Sequence, residues 1–292
     1  MTNAQSMTVC ASHNPAMSPH SDKSIAPEFR AGLARAKQRV ADFDPTCVVV
    51  FGSDHIALLK GIRPPLTLIA SGRGIKEFGR PEVPLNVPTE QVNALSEILL
   101  DHDFDPAVAT DAGLDHGFTH TLSMLFDDYS TPKIIPILIN AFAPPMMSYP
   151  RAAEVGRLVG DYCREHEERP LFIGTGGLSH DPASMDFAKA GLDPATAEIW
   201  TEGEPSEDLK KLMLTARPIN EKWDADFIQH MNRSHDELID WLDGMDVVAE
   251  AGSGAAETRT WVAALCAGAR PVEMLGYNAI PQWITGLGVA AS

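Results

Sequence analysis

Cysteine is scarce in this chain: Cys10, Cys47, Cys163 and Cys266 are the only four in 292 residues, and none forms a C-x-x-C pair. That argues against a structural thiolate zinc site and a disulfide framework, and it suits a reducing compartment. Long hydrophobic runs are missing too. No stretch of about 18 apolar residues is available to span a membrane. Residues 1–25 lack the apolar run of a secretory signal, so a cytoplasmic location is expected. Positive charge is in short supply, with 23 Lys plus Arg against 40 Asp plus Glu and a net charge of −17. So acidic a surface repels phosphate backbones and anionic lipid, which argues against nucleic acid and membranes as partners. An anionic ligand would need a locally basic pocket.

What is present is the composition of a globular protein, 44% hydrophobic and 22% charged, on a chain long enough to bury a substantial core. No internal repeat or long linker divides it, so residues 1–292 are expected to form a single domain. Short apolar runs at 7–11, 47–51, 134–139 and 171–173 read as buried strands, with weaker strand signals at 66–70 and 106–110. Helical spacing is found at 27–43, where Pro27 suits the first turn, and at 89–103, 149–166 and 258–267. The segment 60–88 reads as irregular or antiparallel, 183–245 as charged and helical, and 279–288 as a tail packing back on the body. Strands alternating with helices predict an α/β fold, a mostly parallel or mixed central sheet flanked by helices.

The stretch Leu171 to Pro182 concentrates the chemistry. An apolar strand breaks into Gly174-Thr175-Gly176-Gly177 and ends on Leu178-Ser179-His180, which delivers an imidazole past the strand's carboxyl end, where open α/β sheets bind ligands. His13 and His55 follow apolar strands in the same way, and His116, preceded by Asp115, follows a weaker one. Four such placements among ten histidines are hard to explain as unrelated surface turns. Imidazole is the commonest metal ligand, and two imidazoles with one carboxylate form the open facial triad of non-haem iron(II) oxygenases. Glu257 is a candidate carboxylate. It lies between the Ala251-Gly252-Ser253-Gly254 loop and an apolar helix, where the helix dipole favours negative charge. His20, His102, His120, His166, His230 and His235 read as surface or structural, although His120 is one helical turn from His116 and so within reach of a pocket there.

Taken together, Ser12-His13-Asn14-Pro15, Asp54-His55, Asp115-His116-Gly117-Phe118, Gly174 to Pro182, Pro218 to Phe227, Glu257 to Ala263 and Ile280 to Gly288 resemble the class III extradiol ring-cleaving dioxygenases, the superfamily of the protocatechuate 4,5-dioxygenase β subunit. The resemblance runs over nearly the whole chain, and DHGF with GGLSHxP is its specific part. It implies Fe(II) held by His13, His55 and Glu257, a catechol substrate with a substituent at the 3-position, O2 as co-substrate, and a homo-oligomer. It also implies acid–base roles for His180 and His116: His180 takes a catechol proton, and His116 assists O–O cleavage with Asp115 orienting it or keeping it protonated. The chain departs from the pattern around Leu58 to Pro65, where Lys60 and Arg63 replace apolar residues and become candidates for a substrate carboxylate, and after Pro182, where it is shorter. A zinc-dependent hydrolase with the same His/His/Glu set, or a non-catalytic metal-binding relative, are the alternatives.

Overall fold

A computed structural model describes residues 5–17, 21–55, 58, 62–141, 144–167, 169–181 and 217–292. Its strands are β1 (Met7–Ala11), β2 (Cys47–Gly52), β3 (Leu66–Ile69), β4 (Gly72–Gly74), β5 (Val83–Pro84), β6 (Ala107–Ala109), β7 (Ala112–Leu114), β8 (Ile134–Ile139), β9 (Pro170–Thr175), β10 (Glu273–Ile280) and β11 (Thr285–Ala291). The helices are α1 (Pro27–Phe43), α2 (Thr89–Asp101), α3 (His116–Leu125), α4 (Tyr149–His166), α5 (Glu221–Arg233), α6 (His235–Asp243), α7 (Val247–Ala251) and α8 (Thr258–Gly268). Eight strands form one sheet in the order β10-β11-β1-β9-β2-β8-β3-β6, and β5-β4-β7 form a small second sheet.

The large sheet is mixed. Its centre, β1, β9, β2 and β8, is parallel, while β3 runs antiparallel to β8 and β11 antiparallel to β1. A central parallel strand is buried on both faces and therefore reads as a continuous apolar run. In β2, Cys47, Val49 and Phe51 enter the core shared with α2, α4, α5 and α8, whereas Val48 and Val50 enter the core shared with α1 and α3. The tail is more ordered than a segment packing back: β10 and β11 form a hairpin that extends the sheet beside β1. Thr285-Gly-Leu-Gly-Val-Ala-Ala lacks the β-branched density that marks a strand, so the ladder, not local propensity, sets its conformation. Of the segment read as charged and helical, α5 and α6 confirm the part after residue 220, and residues 183–216 lie outside the described residues. Among the described residues, no helix is long and apolar enough to cross a membrane.

Level strand ends position the site. Ala11 pairs with Thr175, Phe51 with Gly174, and Gly52 with Leu138, so β1, β9, β2 and β8 finish together. The segment after β9 is held by one buried carboxylate. Asp224 of α5 accepts hydrogen bonds from Ser179 N (2.7 Å), Ser179 Oγ (2.9 Å) and Tyr277 Oη (2.7 Å). Gly286 N donates to Ser179 O and His180 N to Ala251 O, which ties the same turn to β11 and α7.

On the opposite face of the sheet from α1, helices α4 and α8 meet through glycines. A Cβ on Gly160 would stand within van der Waals overlap of Ala267 O, at 2.3 Å. Gly160→Ala should gain about 1 kcal/mol of helix propensity yet lose more through overpacking against a backbone oxygen, for a net loss of about 1–2 kcal/mol. Urea unfolding checks this, and a raised midpoint at unchanged slope would contradict the close packing. Asp224→Ala leaves three buried donors without their acceptor, each costing about 1–3 kcal/mol. We expect a loss of at least about 2 kcal/mol by the same measurement, with Asp224→Asn losing less because it keeps an acceptor oxygen.

Candidate metal and catalytic site

His13 follows β1 by two residues, His55 follows β2 by three, and His180 follows β9 by five, so the level strand ends bring all three imidazoles to one edge. His116 arrives separately, as the first residue of α3, whose N-cap is Asp115. Glu257 stands at the N-terminus of α8 without making a capping hydrogen bond. Its Oε2 instead accepts from Gly177 N at 2.9 Å.

Three potential ligand atoms converge. Glu257 Oε1 lies 3.2 Å from His13 Nε2 and 3.2 Å from His55 Nε2. Oε1 is buried and accepts no hydrogen bond, and His13 Nδ1 is a second buried atom without a partner. An unpaired buried carboxylate oxygen is costly, and this one is aimed at two imidazole nitrogens. Ligands about 2.1 Å from a metal and at right angles to one another are about 3 Å apart, so the spacing fits a metal held by these three side chains. One ring nitrogen from each of His13, His55 and His116 also falls within 4.8 Å of the others, a grouping that could hold a metal ion. Burial opposes ionisation of Glu257, but the adjacent His13 and His55 outweigh it and hold the carboxyl well below its ordinary range. Burial likewise opposes charge on His55, yet Asp115 and Glu257 raise it well above the usual imidazole value. His13 is lowered, chiefly by burial. A cation held by His13, His55 and Glu257 would take the place of a proton on His55 and supply the same compensation for Glu257.

His180 is prepared differently. Its Nδ1 lies 2.9 Å from Leu178 O, a bond in which the ring N–H must donate, so the unprotonated nitrogen of the neutral ring is Nε2. That atom lies 3.6 Å from Glu257 Oε2. Burial lowers the pKa of His180, partly offset by Glu257, which keeps the ring in the form able to accept a proton. Its ring is packed between two glycines. A Cβ on Gly177 would lie 2.4 Å from His180 Cε1, and one on Gly254 would lie 2.0 Å from His180 Nε2. Gly176, at φ +135°, is the position that needs left-handed freedom, and a Cβ there would strike the Glu257 side chain at 2.5 Å. The glycines of this motif therefore make room for His180 and Glu257.

Asp115 serves a partner other than the one expected. Its Oδ2 accepts from His55 N at 2.6 Å and lies 3.4 Å from His55 Nδ1, while Oδ1 accepts from Gly117 N. The hydrogen bonds of Asp115 orient His55 and cap α3, while its charge acts on His116 through space, favouring the protonated ring. The carboxylate against His116 is Glu77, whose Oε2 lies 3.4 Å from His116 Nδ1. Glu77 carried no local signal in the sequence, since its partner is far along the chain and its surroundings read as irregular. Burial and the nearby Asp115 push the Glu77 carboxyl up to about 8. Burial and the nearby His55 push His116 down to about 3. His120 is fully buried, packs against His116 and Phe78, and is lowered by burial and by the charge of His116. Arg63 is exposed, and Lys60 lies outside the described residues.

Residues 7–288 match the family described as the catalytic LigB subunit of aromatic ring-opening dioxygenase. The chain is 31% identical, over 99% of its length and 98% of the relative's, to a 2,3-dihydroxyphenylpropionate/2,3-dihydroxicinnamic acid 1,2-dioxygenase of Mycolicibacterium gilvum. It is 32% identical to the protein of the same name in Xanthobacter autotrophicus, over 97% of each chain. Its fold also resembles a solved structure of an uncharacterized protein from Escherichia coli K12, with a TM-score of 0.60, 12% identity and 98% of each chain covered. With its fold, its cluster of histidines and a match running from the first strand to the last, the chain belongs to the LigB family of aromatic ring-opening dioxygenases.

Proposed function

We propose that the protein is an iron(II)-dependent extradiol dioxygenase that opens the ring of a 3-substituted catechol, of the 2,3-dihydroxyphenylpropionate class, with both atoms of O2 entering the product. The observation that carries this reading is the convergence of Glu257 Oε1 on His13 Nε2 and His55 Nε2, both at 3.2 Å, beside a His180 whose Nε2 is the unprotonated nitrogen. These three side chains are the ligands, two imidazoles and a carboxylate that leave positions open. When bound there, iron(II) supplies electrophilic activation and a common site for catecholate and oxygen.

The chain's own residues manage the protons. His180 Nε2 accepts a proton from a catechol hydroxyl, and Leu178 O stabilises the resulting charge on the ring through Nδ1–H. His116 acts as the acid, donating to the oxygen that leaves as the O–O bond breaks. Asp115 raises the basicity of His55 and fixes its orientation, the usual task of a carboxylate behind a metal-binding imidazole. Lys60 and Arg63 remain the proposed contacts for the substrate's carboxylate, and the working unit is taken to be a cytoplasmic homo-oligomer.

Anaerobic loading with iron(II), followed by a panel of catechols in air, tests the proposal through oxygen uptake and the yellow ring-opened product. A 2,3-dihydroxyphenyl carboxylate should be turned over; a zinc hydrolase would consume no oxygen, and absence of uptake with every catechol overturns the reading. Replacing His13, His55 or Glu257 with Ala should abolish metal binding measured by elemental analysis. His180→Ala and His116→Ala should retain metal while turnover falls about 10²–10⁴-fold, the range for loss of a general acid or base. Loss of metal in His116→Ala would instead make that imidazole a ligand.

A further inference from the structure

The small sheet has an effect on the site that the three proposed ligands do not explain. Strands β4 and β7 run parallel, with Gly72 opposite Ala112 and Gly74 opposite Leu114, and Ile75 N continues the ladder to Leu114 O at 2.9 Å. Glu77 and His116 therefore leave the two strand ends side by side. Glu77 is 3% exposed, its Oε2 lies 3.4 Å from His116 Nδ1, and its Oε1 is buried with no hydrogen-bond partner. Placing a carboxyl group there is unfavourable unless it interacts with something, and Nδ1 of His116 is the hydrogen-bond partner the geometry gives it. Asp115 cannot substitute, because its oxygens are engaged by His55 and Gly117.

With centroids 5.6 Å apart, His120 is one of the rings that also pack against His116. His55 stacks on it with centroids 4.2 Å apart, Phe78 meets it edge-on at 5.2 Å, and His13 lies edge-on at 5.6 Å. Such contacts restrict the plane of an imidazole, but they do not decide which nitrogen carries its proton. A hydrogen bond to one nitrogen does decide that.

We propose that Glu77 is a positioning residue for ring opening: it occupies the Nδ1 side of His116, fixes the ring's orientation and tautomer, and leaves Nε2 as the nitrogen presented to substrate. This rests on reading His116 as the proton donor. For His116 to donate from Nε2, that nitrogen must carry the hydrogen, so the bond at Nδ1 runs from the carboxyl O–H of Glu77 to the ring. This is the reverse of the pairs in which Nδ1–H donates to a carboxylate and Nε2 is the base, and here the carboxyl group comes from a separate small sheet.

The test uses Glu77→Ala and the near-isosteric Glu77→Gln, which keeps a hydrogen-bonding group of the same length. In the iron-loaded enzyme, Glu77→Ala should lower kcat about 10–100-fold, as loss of such an orienting partner does, with KM and bound iron unchanged, and Glu77→Gln should recover most of kcat. Long-range 1H–15N spectra of histidine-labelled, metal-free protein, with His116 assigned by its substitution, should show one tautomer in the wild type and Glu77→Gln and a mixture in Glu77→Ala. An unchanged His116 tautomer in Glu77→Ala overturns the proposal, as does a loss in which KM, metal content and melting temperature move together with no rescue by Gln. Because the spectra need no turnover, a wild type that opens no catechol would count against the function while leaving the positioning result readable.

Discussion

The carboxylate of Glu257 is the group on which the rest of the site depends. It is entirely buried, and a buried charge persists only where fixed partners replace water. Gly177 N takes one oxygen at 2.9 Å, and the other oxygen is left facing His13 and His55. That arrangement constrains the chain on every side. Gly176 must be glycine for the Glu257 side chain to fit against it. Gly176 O in turn accepts from the indole of Trp261, one helical turn beyond Glu257 on α8, so the strand end and the helix start are locked to each other. Thr260 Oγ1, on the same turn, donates to Thr175 O. The glycine-rich turn and the start of α8 thus act as one unit that holds a buried carboxylate against His13 and His55.

The parallel centre of the sheet converts this local unit into a site. Four strands ending level deliver side chains from widely separated parts of the sequence to one edge without long loops. The antiparallel additions at the flanks have a different use. β11 pairs with β1 and holds the far side of the His180 turn through Gly286 N to Ser179 O, while Asp224 and Tyr277 hold it from beneath. The turn that carries His180 is fixed by backbone hydrogen bonds to α7 and the β10–β11 hairpin and by the Asp224 side chain of α5 together.

Much of this was legible in the residues. The strands β1, β2, β8 and β9 announce themselves because burial on both faces requires continuous apolar runs, and a histidine just past such a run is conspicuous. The helices α1 and α4 are equally plain from their apolar spacing. What stayed hidden depends on partners distant in sequence. Thr285–Ala291 is a strand because β1 and β10 pair with it, although its small residues have little strand preference of their own. Glu77 looks like any acid in a glycine-rich segment until the register of β4 with β7 sets it against His116. Asp115 adjoins His116 in sequence, which suggests a shared task, but a helix N-cap turns its side chain back towards Gly117 and so towards His55.

That last displacement shows how the two acid–base histidines come to differ. His180 has its Nδ1 satisfied by a backbone carbonyl two residues earlier in its own turn, so it is held as a neutral ring with a free electron pair, and nothing titratable needs to move for it to accept a proton. His116 has its Nδ1 against a carboxyl group instead, a partner that can itself gain or lose a proton. A carbonyl can only accept a hydrogen bond, whereas a carboxyl group can accept or donate one. His180 is therefore backed by a group of fixed character and His116 by one of adjustable character. That difference in backing is what would let two chemically identical imidazoles take the opposite proton-transfer duties proposed for them.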